Sequence, residues 1–291
     1  MKALLRLFSY LILASLLLAV LGYLHVKTQE LNPATRETIN GLLRDLQQID
    51  AEIDTDLLRS KTGMNKNYDS VARAQTLIGK AQEALVSQRL ESFDYSLKDA
   101  EKRLTDALST KLELVDRFKA QNAILRNSLR FVPLAAEDVK QKLREARDPA
   151  GKPVQVPGLA DGVDQVLVET LKLEAAADTG AVAKVRERIS PLVARRAEYP
   201  PAAGESFDIF ANHVITIVAQ KEREDEVLAD MAKVPVVDNI NSLGESFAAS
   251  FELANAVHEK YRLAMLGYAA FLIALFSFAF GRRVSQSAAA A

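Results

Sequence analysis

The chain contains no cysteine, and only three of its 291 residues are histidine. The absence of cysteine excludes a disulfide framework, thiol chemistry and any cysteine-ligated zinc site. His258-Glu259 begins like the zinc motif H-E-x-x-H, but Arg262 stands where the second histidine is required. His25 and His213 lie in no recognisable motif. We therefore expect no metal site and no cofactor.

The glycine-containing motifs of common enzyme sites are also missing. The sequence has no G-x-x-x-x-G-K-[ST], no G-x-G-x-x-G and no G-x-S-x-G, the spacings that cradle a phosphate or expose a nucleophile. The run KEREDE at 221–226 alternates in charge, which is typical of the solvent-exposed face of a helix rather than of a cation site. We predict that the protein is not an enzyme.

Charged residues are absent from two long segments, Leu7 to Leu24 and Leu263 to Gly281. Each segment is close to the roughly 20 apolar residues that cross a bilayer as a helix. We therefore predict transmembrane helices at 7–25 and 263–281. A cleaved signal peptide is the alternative for the first segment, but no clear small-x-small cleavage site follows the apolar run, which favours an uncleaved anchor.

Basic residues flank both predicted spans and give their orientation. Lys2 and Arg6 precede the first span, and Arg282 and Arg283 follow the second. Basic residues near span ends stay on the cytoplasmic side, so both termini are predicted to be cytoplasmic. The predicted order is a cytoplasmic N-terminus at 1–6, a span at 7–25, a first helical bundle at 26–147, a Pro/Gly-rich linker at 148–162, a second bundle at 163–262, a span at 263–281 and a cytoplasmic tail at 282–291.

Acidic residues are absent from the termini and from both predicted spans. All 38 lie in the region between the spans, together with 33 of the 37 basic residues, which gives that region a formal charge of −5. Because nucleic-acid binding requires a basic surface, this balance argues against a nucleic-acid partner.

Apolar residues of the outer region recur every three or four positions, as they do in amphipathic helices. Three such stripes run from Leu42 to Leu57, from Val71 to Leu85 and from Leu97 to Val132. Pro133 is expected to end or bend the third helix because proline lacks a backbone donor. No strand-like alternation of useful length appears. We predict an all-α fold in which two transmembrane helices flank an extracytoplasmic double helical-bundle domain, with later helices at about 163–177, 181–198, 207–231 and from 237 onward.

The stretch RSKTGMNKNYDSVARA at 59–74 separates the first two stripes. Thr62-Gly63 suits the end of one helix, Asn65 and Asn67 suit a turn, and Asp69 or Ser70 suits the cap of the next helix. On local chemistry alone, this stretch is a helix-to-helix turn.

Four polar residues near this turn and on the third stripe are candidates for ligand binding. Tyr68 has an apolar ring and a polar tip, and Asn122 places an amide on an otherwise apolar stripe; both suit the lining of a cavity between helices. Arg126 and Asn127 lie one turn further on, and Arg126 suits a carboxylate-bearing ligand. The alternative is that Tyr68 and Asn122 form a satisfied structural network and that Arg126 is an exposed helix residue.

Two blocks of sequence resemble a known family. The first, at 54–69, reads DTDLLRSKTGMNKNYD, and the second, at 118–133, reads FKAQNAILRNSLRFVP. Together they resemble the double all-helical ligand-binding (DAHL) sensory domain of VirA-like sensor histidine kinases, over about 31–133. The later half resembles that domain only in being helical and interrupted by proline and glycine.

The resemblance implies a periplasmic sensory domain at 26–262, anchored in the bacterial inner (cytoplasmic) membrane and acting in two-component signal transduction. The implied ligand is a small molecule or a periplasmic binding protein. Only eight residues follow Arg283, whereas a kinase output domain needs on the order of a hundred. We expect either a stand-alone sensor that acts on a separate cytoplasmic or membrane histidine kinase, or a piece of a longer kinase. Dimerisation along the spans is a further expectation, and the alternative function is a helical scaffold or adaptor that docks another envelope protein.

Overall fold

A computed structural model describes residues 2–27, 33–65, 67–88, 90, 95–175 and 180–288 of the chain. Within these ranges the protein is helical, with no strand beyond an isolated β-bridge between Arg147 and Pro153. The prediction of an all-α fold is therefore confirmed. The helices are α1 (Lys2–Lys27), α2 (Pro33–Lys61), α3 (Asp69–Ser87), α4 (Tyr95–Glu145), α5 (Leu159–Ala175), α6 (Gly180–Ala194), α7 (Pro201–Met231) and α8 (Val236–Ala288).

The chain divides into two compact units that are discontinuous in sequence. The first unit comprises Met1–Arg44, Ala84–Lys102 and Ile240–Ala291, and the second comprises Asp45–Glu83 and Arg103–Asn239. Helices α2, α3, α4 and α8 contribute residues to both units. The linker that the sequence predicts at 148–162 lies inside the second unit.

The second unit has a core built by the C-terminal part of α4 together with α5, α6 and α7. Its apolar residues include Val132 and Val139 of α4, Val163 of α5, Val185 of α6 and Phe210 of α7, none of which is exposed. Burial of these side chains is the main source of stability in a helical domain without disulfides.

Pro133 lies inside α4 rather than at its end, because the helix continues to Glu145. Of the two outcomes predicted for Pro133, an end or a bend of the helix, the end is therefore wrong. A proline within a helix costs about 3 kcal/mol or more, but the residues beyond it belong to the same buried core: Ala135, Ala136 and Val139 are at most 9 % exposed. Their burial offsets the missing hydrogen bond.

In the first unit, α1 and the beginning of α2 contact α8. Tyr268 donates a hydrogen bond to the carbonyl of Leu17 at 3.1 Å, and His258 Nδ1 lies 2.8 Å from the carbonyl of Lys27. The guanidinium of Arg36 lies over the ring of Phe251, 5.4 Å from its centroid, a distance typical of cation–π pairs. His258 thus has a structural contact between helices.

Among the described residues, the segment Pro201–Arg282, which includes α7 and α8, contains a window long and apolar enough to cross a membrane; this window has a mean hydropathy of 2.2 and none of it is buried. The uncharged segment at 263–281 lies in this stretch, within α8. The apolar helix at the N-terminus, Ile12–Lys27, is shorter. In the part of the chain that the structure describes, length and composition therefore give one candidate span, and the first span remains a prediction. Lys2 and Arg6 belong to α1, Arg282 and Arg283 belong to α8, and residues 289–291 of the predicted tail lie outside the described residues.

Candidate functional site

The turn after α2 ends that helix by a specific hydrogen-bond pattern. Gly63 has a positive φ of 71°, a conformation that glycine adopts without the strain that other residues pay. Its N–H bonds to the carbonyl of Ser60 at 3.1 Å, and the N–H of Met64 bonds to the carbonyl of Arg59 at 2.9 Å. This is the Schellman arrangement. The chain is thereby turned back beside the end of α2.

The second half of the turn starts α3. The side-chain amide of Asn67 donates to Asp69 Oδ2 at 2.7 Å, and the carbonyl of Tyr68 accepts from the N–H of Ala72 at 2.9 Å. The carboxylate of Asp69 lies in the first turn of α3, where it complements the helix dipole. These contacts fix the backbone of Tyr68 at the entrance to α3.

Tyr68 reaches from the turn to α4, and α4 reaches to α7. The Tyr68 hydroxyl donates to Asn122 Oδ1 at 2.5 Å, and Asn122 Nδ2 donates to Glu224 Oε1 at 2.5 Å. Asn122 is 1 % exposed and Glu224 is fully buried. We call these three residues the phenol–amide–carboxylate chain. It joins three segments of the second unit through one amide.

Glu224, the carboxylate of the phenol–amide–carboxylate chain, lacks some of its hydrogen-bond donors within the described part of the molecule. Glu224 Oε2 and the nearby Gln220 Oε1 are buried and accept no hydrogen bond. Lys221 Nζ lies 3.5 Å from Glu224 Oε2 as an ion pair. Burial raises the pKa of Glu224, and the hydrogen bond from Asn122 and the charges of Lys221 and Lys61 oppose that rise. A buried carboxylate without a full set of hydrogen-bond donors costs free energy, so Glu224 is the least satisfied member of the three.

The location of Glu224 corrects the prediction that the run at 221–226 is a solvent-exposed face. Lys221 is 4 % exposed and Glu224 is not exposed at all. Both continue the three- and four-residue spacing of buried apolar positions on α7, from Val214 through Ile217 to Val227. That spacing was the available signal, and the alternation of charge concealed it.

Arg126 lies beside Tyr68, whereas Asn127 does not. Arg126 Nη1 donates to the carbonyl of Asn65 at 2.7 Å, and Asn65 Nδ2 in turn donates to the carbonyl of Asp56 at 3.2 Å. Burial raises the pKa of Tyr68, with the charge of Arg126 acting in the opposite direction. Asn127 is exposed. Of the four sequence-derived ligand candidates, the structure therefore brings together Tyr68, Asn122 and Arg126.

A second buried charged cluster in the same unit has no counterpart in the sequence prediction. Lys111 Nζ lies 2.6 Å from Asp50 Oδ1 and 2.9 Å from Asp54 Oδ1. Lys111 and Asp50 are each 4 % exposed. Burial raises the pKa of Asp50, and Lys111 opposes that rise. We call these three residues the ion triad.

The ion triad borders a cleft of about 280 Å³. The opposite wall is the α7–α8 turn and the first turn of α8, from Met231 to Pro235 with Val237 and Asp238. The amphipathic spacing of α2 and α4 predicts which faces are buried, but it does not predict that a lysine and an aspartate on those faces meet. Among the described residues, no group of three or more His, Cys, Asp or Glu side chains could hold a metal ion.

A comparison with family models matches residues 31–262 to the DAHL domain. No curated protein and no solved structure gives a significant match. The match covers most of the chain and includes both blocks, 54–69 and 118–133, on which the resemblance depends. The chain belongs to the DAHL domain family.

Proposed function

We propose that this protein is a membrane-anchored receptor in which a periplasmic helical sensory domain, at 26–262, alters the state of a transmembrane helix at 263–281. Membership of the DAHL family makes residues 31–262 a helical sensory domain. The proposed receptor has two spans, 7–25 and 263–281, and cytoplasmic termini. The proposed receptor is a homodimer that passes its signal to a cytoplasmic or membrane histidine kinase. It is not itself an enzyme.

The observation that supports transmission is the continuity of α8. This helix runs from Val236 to Ala288 without interruption. Its first part contributes buried core residues, among them Leu243 and Phe247, which are not exposed. Its later part contains the uncharged segment at 263–281. A helix is stiff over this length, so a change in the packing of its first part is passed to its last part.

A ligand can shift such a helix only if it binds the two packing states with different affinity. We propose that Tyr68, Asn122 and Arg126 form the region that responds to a small molecule or a periplasmic binding protein. These residues join the turn, α4 and α7 through single hydrogen bonds. Because Asn122 is shared by two partners, displacement of either one changes the contacts of both.

The proposed topology is tested with single cysteines, which the cysteine-free chain accepts without removal of any native thiol. S190C lies in α6 at an exposed position, and S287C follows the basic pair at the end of α8. A membrane-impermeant maleimide added to intact cells with a permeable outer membrane should label S190C and leave S287C unlabelled until the inner membrane is opened. Equal labelling of both positions would contradict the two-pass topology.

Signal transmission is tested with spin labels at V26C and V257C, two exposed positions near the His258–Lys27 contact. The full chain in lipid nanodiscs is exposed to a panel of sugars, amino acids, organic acids, amines and a periplasmic extract. At least one of them should change the distance distribution between the labels. The Y68F variant should lose the response and keep its helicity; equal loss of helicity would assign Tyr68 a structural role only.

The second candidate function is a scaffold or adaptor that docks another envelope protein. It is favoured by exposed apolar side chains on α4 and α7: Phe131 is 42 % exposed, Leu134 is 66 % exposed and Ile209 is 55 % exposed. His213 stacks on Phe131 with ring centroids 6.2 Å apart. Exposed apolar groups mark a protein interface where they form a contiguous patch. Crosslinking in membranes that captures one constant partner in every medium, with no label response to any compound, would favour this function over sensing.

A further inference from the structure

We propose that the cleft beside the ion triad binds a small organic dication, a molecule with two separated ammonium groups, and that this ligand joins α2 to the first turn of α8. The site depends only on the cleft and its charges. Its role as the sensed signal rests on the proposed function.

The cleft has the size and construction of a small-molecule site. Its volume of about 280 Å³ is close to the lower end of the roughly 300–1,000 Å³ of ligand pockets. Asp50 and Asp54 enter from α2, Lys111 enters from α4, and Asp238 enters from α8. All lining residues belong to the second unit.

Two of the residues that line the cleft are held in place by each other in the absence of a ligand. Lys111 and Asp50 are each 4 % exposed and form an ion pair at 2.6 Å. Asp50 Oδ1 contacts Lys111 Nζ but accepts no well-aligned hydrogen bond. A carboxylate has about four acceptor positions, so this buried group favours a ligand that brings N–H donors.

The charges around the cleft favour a cation. Lys111 is shared between Asp50 and Asp54. Lys233, which also lines the cleft, is paired with Asp230 at 2.9 Å. Asp238 forms no ion pair with any described residue. Counting the carboxylates and ammonium groups of these six side chains leaves an excess of two negative charges.

The spacing of the carboxylates favours an extended cation over a metal ion. Three of them, Asp50, Asp54 and Asp238, line one cleft, yet the described residues include no cluster of three that could hold one metal ion. A compact divalent ion needs six or more oxygen ligands around one point. Two ammonium groups on a flexible chain reach separated carboxylates, and each supplies several hydrogen-bond donors.

Such a ligand would act directly on the start of α8. One ammonium group pairs with Asp54 on α2, and the other pairs with Asp238 in the first turn of α8. The α7–α8 turn, from Met231 to Pro235, lines the same cleft and contacts the ligand from that side. Because α8 continues to the uncharged segment at 263–281, binding at its first turn is suited to influence the span.

The experiment is isothermal titration calorimetry on the full chain in lipid nanodiscs, with α,ω-diaminoalkanes of three to six carbons as probes. We expect saturable binding with an optimum at one chain length, since the carboxylates have fixed positions. Butylamine should bind at least about tenfold more weakly than the best diamine because it lacks the second ionic contact. The uncharged 1,4-butanediol and Mg²⁺ should show no saturable binding, and high salt should weaken the diamine.

Two exposed carboxylates allow variants that keep the fold. D54N and D238N should each weaken the best diamine by about three- to tenfold, and the double variant should weaken it by more than either. D161N, at an exposed position in the first turn of α5, is the matched control and should bind as the unaltered chain does. Circular dichroism at equal concentration checks that each variant is folded.

Several results would overturn the site: no saturable diamine binding, equal binding of butanediol, tighter binding of Mg²⁺ than of any diamine, or unchanged binding by the D54N/D238N variant. The labels at V26C and V257C separate this proposal from the proposed function. Diamine binding without a change in label distance supports the site and contradicts its role as the signal. A label response to another compound, without diamine binding, supports the receptor and rejects the site.

Discussion

The second unit contains two buried polar sites that solve the same problem differently. In the ion triad, a buried ammonium lies within 2.9 Å of two carboxylates. In the phenol–amide–carboxylate chain, the buried carboxylate of Glu224 receives one hydrogen bond from a neutral amide, and the nearest ammonium is 3.5 Å away. The ion triad is held together by opposite charges. The phenol–amide–carboxylate chain is held together by directed hydrogen bonds, and one of its acceptors, Glu224 Oε2, has no donor among the described residues. The stability of the ion triad should therefore depend mainly on its charges. The stability of the phenol–amide–carboxylate chain should depend on hydrogen-bond geometry and on the protonation of Glu224.

The largest expected effect comes from removing the cation of the ion triad. K111M should lower the free energy of unfolding by about 3–5 kcal/mol, because it leaves Asp50 charged and buried without a partner. Urea unfolding followed by circular dichroism measures the loss. K172M is the control, since Lys172 is 62 % exposed and forms only a surface pair, and it should change stability by less than about 0.5 kcal/mol. A loss below about 1 kcal/mol in K111M would mean that Asp50 is solvated or neutral.

The next effect tests whether the phenol–amide–carboxylate chain acts through its pairing. N122L should destabilise the fold by about 1–3 kcal/mol, since it strands Glu224 Oε1 and the Tyr68 hydroxyl without their partner. E224L alone should strand Asn122 Nδ2 and also leave the buried ammonium of Lys221 without its carboxylate. The N122L/E224L double variant should cost less than the sum of the two single changes, because no buried amide or carboxylate is then left unpaired. Strict additivity would show that Asn122 and Glu224 are not energetically coupled.

A smaller effect concerns the pH dependence of stability. Burial raises the pKa of Glu224 above its ordinary 4.5 in the folded state, so the folded protein holds this proton more firmly than the unfolded chain does. The stability that protonated Glu224 contributes to the folded state is fully present below about pH 4.5, and it is lost as the pH rises through the raised pKa of this group. E224Q removes that dependence, so its stability should change less with pH across this window than that of the unaltered chain.

Urea midpoints at several pH values measure this difference. E226Q, an exposed glutamate on the same helix, is the matched control and should follow the unaltered chain. Parallel pH profiles for E224Q and the unaltered chain would contradict the raised pKa.

Sequence reasoning predicted the fold class and most helix faces because periodic burial is local information. It found Tyr68 and Asn122 because one lies in a marked turn and the other interrupts an apolar stripe. It missed Glu224 and the ion triad for a physical reason: a buried charge is recognised by its partner, and that partner is distant in sequence. Asn122 and Glu224 are 102 residues apart. Pro133 shows the same limit, since tertiary burial overrides a local signal to end the helix.

The smallest expected effect separates stability from binding within the ion triad itself. Asp54 is 53 % exposed, whereas Asp50 is almost fully buried, so the Lys111–Asp54 pair is screened by water. D54N should lower the free energy of unfolding by no more than about 1 kcal/mol, far less than K111M does. The same variant should weaken diamine binding by about three- to tenfold, because it removes the exposed carboxylate that contacts a ligand in the cleft. A destabilisation as large as that of K111M would mean that Asp54 is needed for the buried ion pair. The cleft would then have no carboxylate on α2 available to a ligand.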